Sequence, residues 1–100
     1  MSQAYRLTAQ AEADVAAIAD FIAADSIDVA LKVVLALEDT FVLVATQPGI
    51  GHAREDLTNR PLKFWSVYSY LVVYDPASEP LTVVAVLHGA RDVANILKDI

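Results

Sequence analysis

Between Ala9 and about Ala24, the apolar residues Ala11, Val15, Ile18, Phe21 and Ile22 recur at steps of three and four. That spacing predicts an amphipathic helix with these five on its buried face and Glu12, Asp20 and small alanines on the other. Thr8 stands where an N-cap is needed, and Tyr5-Arg6-Leu7 before it reads as a short strand. Asp25 or Ser26 then caps a second helix, from about Asp28 to Thr46, which Pro48-Gly49 stops. Its core stripe reads Ala30, Val33, Val34, Leu37, Phe41, Val44 and Ala45. Leu31, Leu35 and Val42 fall roughly 120–160° from Leu37 at about 100° per residue, so one packing face cannot cover them all. A connection as tight as Ala24-Asp25-Ser26 makes the pair an α-hairpin.

From Ile50 to Pro61 the chain is mostly polar and reads as a loop, after which the period changes. Leu62 to Val67, Tyr70 to Asp75 and Leu81 to His88 are rich in β-branched and aromatic residues, with Tyr68-Ser69 and Pro76 to Pro80 as turns. Short strands joined this tightly form an antiparallel meander. Asp92 can cap a last short helix through Val93, Ile96 and Leu97. The order β-α-α-β-β-β-α predicts an α+β fold, the hairpin packed on a small antiparallel sheet, with residues 1–100 as a single domain.

Composition sharpens this picture in three ways. The apolar fraction, 56%, exceeds the usual share for a soluble domain, so the core is rich or apolar surface is reserved for a partner. With no cysteine, disulfides and thiolate metal sites are excluded. Met1 to Tyr5 lack the basic, apolar start of a secretion signal, and Glu38 and Asp39 break the most apolar stretch, Val33 to Val44. The expectation is a cytoplasmic protein that does not enter a membrane. The net charge is −6, with seven acids against two bases in residues 1–50 and six against five in residues 51–100. Phosphate binders rely on Lys and Arg, so no direct DNA binding is expected, and any cationic chemistry belongs to the second half.

That chemistry has few candidates. His88 and Arg91, near the end of a strand, could hold a phosphate or a partner carboxylate. Alternatively Gly89 serves the turn, Asp92 the cap, and Arg91 a nearby carboxylate. Arg54, Arg60 and Lys63 flank the second strand and, as loop charges, require no function. RNA cleavage needs a base for the attacking 2′-hydroxyl, cations for developing charge and an acid for the leaving oxygen; only Lys63, His88, Arg91 and Arg54 could supply them. His52-x-x-Glu55 with His88 is too sparse for a metal site, and no other metal or cofactor site is expected. Trp65, Tyr68, Tyr70 and Tyr74 fit cross-strand packing better than base stacking.

In this order, these residues resemble the ParE branch of the RelE/ParE toxin superfamily. The likeness rests on Asp14-Val15 with Ile18, Phe21 and Ile22; on Phe41 and Val44 before Pro48-Gly49-Ile50-Gly51; on Arg60 leading to Tyr70-Leu71-Val72-Val73-Tyr74; and on His88-Gly89-Ala90-Arg91-Asp92. His52 stands where the family often has arginine, and this chain is acidic where many members are basic. The resemblance implies a plasmid-stabilisation toxin without catalysis that inhibits DNA gyrase, is neutralised by a ParD-like antitoxin and forms a hetero-oligomer with it. Leu31, Leu35 and Val42 are the candidate antitoxin contacts; Arg54, Arg60 and Arg91 are the cations available to a target. The alternatives are a RelE-like mRNA-cleaving ribonuclease using Lys63, His88 and Arg91, or a decayed member that keeps only antitoxin binding.

Overall fold

A computed structural model describes residues 5–100. Met1 to Ala4, read above for a leader, lie outside the described residues. The elements are β1 (Tyr5–Leu7), α1 (Ala9–Ala23), α2 (Ile27–Thr46), a single 3-10 turn (Pro48–Ile50), β2 (Lys63–Val67), β3 (Tyr70–Asp75), β4 (Leu81–His88) and α3 (Val93–Lys98). The α+β architecture and element order match the sequence expectation. Each helix begins at a side chain that accepts from its first turn: Thr8 from Ala11 N–H, Ser26 from Val29 N–H and Asp92 from Asn95 N–H. Ser26, rather than Asp25, is the cap of α2.

The sheet order is β1-β4-β3-β2. The meander β2-β3-β4 is antiparallel as expected, but β1 pairs parallel to β4, Tyr5 opposite Leu81 and Leu7 opposite Val83, so the sheet is mixed. Connections of two and five residues force antiparallel neighbours; β1 meets β4 across most of the chain's length, and no turn constrains its direction. β4 is buried from Leu81 to Leu87, as its unbroken apolar run requires. One face packs under the hairpin through Val33, Leu37, Phe41, Val44, Val72, Tyr74, Val83 and Val86. The other packs Phe64, Val73, Ala85 and Leu87 against Leu62 and α3's Val93 and Leu97.

Two side-chain ties join distant segments. Thr8 accepts from Ala11 N–H at 3.0 Å and donates its hydroxyl to the Val84 carbonyl at 2.9 Å, so the cap of α1 is also bonded to β4. Thr8→Ala should therefore lower stability by about 1–2 kcal/mol, read as a fall in Tm, while Thr8→Ser retains most of it. An unchanged Tm in the alanine variant would refute the tie. The second is Tyr74, whose hydroxyl donates to the Pro48 carbonyl at 2.8 Å and accepts from Gly51 N–H at 2.9 Å. Burial pushes the phenol's pKa up from its ordinary value, partly offset by the Gly51 bond, so it stays protonated and can donate. The bond anchors the segment after α2, and His52 then pairs with Phe64 at the start of β2.

Candidate partner-binding faces

The α2 stripe expected to be core is largely so: Ala30, Val33, Leu37, Phe41 and Val44 are buried, with Val34 and Ala45 half-buried. Leu31, Leu35 and Val42 are not, at 58%, 50% and 52% exposed. Neither the sheet nor α3 covers them. Ile27, 75% exposed, falls on the same side of the helix, one turn before Leu31. Four large apolar side chains thus line one open face, roughly 80–160° from Leu37. Asp28, Glu38 and Asp39, all exposed, lie alongside or within this arc. The face combines an apolar strip with an acidic rim.

On α1 the reading needs correction. Ala11 is buried and Val15, Ile18 and Ile22 pack on the core, but Phe21, expected beside them, is 79% exposed. Spacing alone grouped it with the stripe; at about 100° per residue it sits roughly 90° from the stripe's centre. It shares that flank with Asp14 and Ala17. Together with Ile18, Tyr70, Val86, His88 and Arg91 they line a groove of about 350 Å³ between α1 and the end of β4.

The sheet register keeps the cations apart. Lys63 lies opposite Tyr74, whereas His88 lies opposite Tyr70. Four residues of strand separate those positions, roughly 13 Å along β3 alone. Arg54 is held by Asp56 in a two-pronged contact at 2.8 and 3.0 Å, the hydrogen bond raising the pKa of the arginine and lowering that of the aspartate. Arg60 donates to the Ile100 carbonyl at 2.9 Å. The local carboxylate that one of the two sequence readings gives Arg91 is not found: Arg54–Asp56 is the one ion pair among the described residues. His52 stacks on Trp65 at 6.2 Å. Of the aromatic residues, Tyr74 is fully buried and Trp65 and Tyr70 pack on the core, as cross-strand packing predicts; Tyr68 stands out in solvent on the hairpin turn at φ 52°.

Sequence reasoning missed three residues that shape these faces. The sequence pattern starts α2 one residue late, at about Asp28, and leaves out Ile27. Phe21 was assigned to the core. Asp14, on the polar flank of α1, accepts from Val86 N–H at 3.0 Å and so closes part of β4's outer edge. A carboxylate flanking an apolar stripe was the available signal for Asp14; nothing in the sequence marked β4 as its partner.

Comparison with known proteins agrees with this architecture. A solved structure described as the chromosomal ParDE TA system from P. aeruginosa superposes with a TM-score of 0.70 at 15% identity, covering 84% of this chain and 92% of that one. At that identity the likeness concerns the fold. No curated protein sequence matches. The family model for the ParE toxin of the type II toxin-antitoxin system, parDE, matches residues 5–93, from β1 to the start of α3. The chain therefore belongs to the ParE toxin family of type II toxin–antitoxin systems.

Proposed function

We propose that the chain is a single-domain, non-enzymatic, cytoplasmic toxin, held inactive by a ParD-like antitoxin that covers the α2 face. The observation that carries this reading is the open row Ile27, Leu31, Leu35 and Val42 on a helix whose opposite side is already full of core residues. Each large aliphatic side chain moved from water into an interface contributes about 1.5–3 kcal/mol, so two or three suffice to anchor a helix or strap. The acidic rim favours Lys or Arg on the antitoxin, which steers association more than it tightens the complex. DNA gyrase as the target is an expectation from the family, with Arg91 as the arginine best placed to meet a partner because Arg54 and Arg60 are engaged within the chain.

The separation of Lys63 from His88 argues against phosphodiester cleavage, which needs base, acid and cation around one phosphorus. In cells expressing the chain without its antitoxin, supercoiling and replication should fail while mRNA stays intact. The combined variant Lys63→Ala, His88→Ala, Arg91→Ala should show no loss of ribonuclease activity, there being none to lose. Purified protein that cut mRNA, on or off the ribosome, and lost this on substitution would overturn the reading.

A further inference from the structure

Among the described residues, no strand pairs with the outer edge of β4 beyond Val83, where β1 ends. The groove between that edge and α1 has two chemically different parts. Its walls are apolar, formed by Ala17, Ile18, Phe21 and Val86. At its end stand His88 and Arg91, both exposed. His88 Nδ1 accepts from Ala90 N–H at 3.0 Å, which places the proton of the neutral imidazole on Nε2 and makes that atom a donor. Tyr70 holds the ring edge-on at 5.4 Å. The one acid in the groove, Asp14, is already engaged: Oδ2 accepts from Val86 N–H and Oδ1 from Gln10 Nε2. Two donors, one of them a guanidinium with no ion-pair partner among the described residues, therefore face an apolar trough.

We propose that this groove docks an extended segment of a protein partner that carries a single acid, seating a large apolar side chain against Phe21 and Ile18 and a carboxylate on His88 Nε2 and Arg91. Charge selects the carboxylate over phosphate. With Asp14 in the same groove and a net charge of −6, the site stabilises one negative charge, whereas a phosphate dianion or a nucleic-acid strand meets repulsion from the whole molecule. The apolar walls select a peptide over a small anion, because a free carboxylate leaves them in water. In extended backbone, residues two apart share a face, so the apolar residue and the acid belong at positions i and i+2. The site is separate from the α2 face, and its failure leaves the reading of that face untouched.

The test titrates the ¹⁵N-labelled protein with the peptide acetyl-Ala-Leu-Ala-Asp-Ala-amide, its Asn counterpart, inorganic phosphate and a thymidine pentanucleotide. The Asp peptide should shift the amide signals of Val86, His88, Ala90 and Arg91 and saturate at millimolar concentrations. The Asn peptide, and the Asp peptide on Arg91→Gln, should bind about five- to tenfold more weakly. Phe21→Ser should weaken the Asp and Asn peptides alike. Both residues changed, Phe21 and Arg91, are exposed, so the variants keep the fold, which their remaining spectra verify. Equal binding of the Asp and Asn peptides, tighter binding of phosphate or the pentanucleotide, or no shift with the Asp peptide at about 10 mM each overturns the proposal.

Discussion

Exchanging Leu31 and Leu35 together for aspartate should leave the chain folded and weaken antitoxin binding by at least about 100-fold. Both side chains are already half or more in water, so the variant removes little core packing and adds charge to a face that tolerates Asp28 and Asp39. In the complex, the same change discards two apolar anchors and buries two carboxylates. With about half of each leucine left to bury, the loss is about 0.8–1.5 kcal/mol per side chain, and the cost of burying two carboxylates supplies the rest of the factor. Calorimetry or surface-immobilised binding gives the affinity, and circular dichroism checks the fold. Unchanged affinity in the folded double variant removes α2 from the interface. A variant that fails to fold shows instead that these leucines stabilise the toxin alone. Val42→Asp offers a single-site control further along the helix. The acidic rim supplies a kinetic companion: neutralising Glu38 and Asp39 should slow association and flatten its dependence on salt while dissociation changes little.

Gly51→Val should destabilise the fold by about 2–4 kcal/mol, more than substitution at Gly49. A Cβ at Gly51 would meet the Tyr74 hydroxyl at 2.5 Å, its Cε1 at 3.0 Å and Lys63 Cβ at 3.1 Å, whereas nothing lies within 4 Å of one at Gly49. Tyr74 cannot step aside cheaply, because it is fully buried and its hydroxyl bonds both Pro48 and Gly51. Tyr74→Phe removes the clash partner's oxygen but leaves a carbonyl and an amide short of a bond, costing about 1–3 kcal/mol. Combined with Gly51→Ala, it should be less harmful than the sum of the single changes, since the same oxygen is lost in one and struck in the other. Urea denaturation of the four proteins decides this. Strict additivity would show that the close approach does not strain the glycine variant.

Much of the architecture was readable in advance because local physics determined it. The helix caps at Thr8 and Asp92, the Pro48-Gly49 stop, the tight turn between β2 and β3 and the solid apolar run of β4 each act over a few residues. The exposed triplet Leu31, Leu35 and Val42 was readable for the same reason, since rotation per residue alone separates it from the Leu37 stripe. Phe21 was misread because membership of a stripe depends on where the neighbouring element ends. The flank of α1 that carries Phe21 faces an open groove beside the ends of β3 and β4, not a packed layer.

The chain's own pattern determined the element types, their order, the core face of α2 and an unfilled face on its far side, because periodicity and capping are properties of consecutive residues. Tertiary structure alone decided that β1 enters parallel beside β4, that Asp14 closes β4's edge at Val86, that Tyr74 reaches back to Gly51, and that Lys63 and His88 stand apart. Each of these joins residues far apart in sequence. Such contacts depend on sheet register and chain direction, which no local spacing encodes.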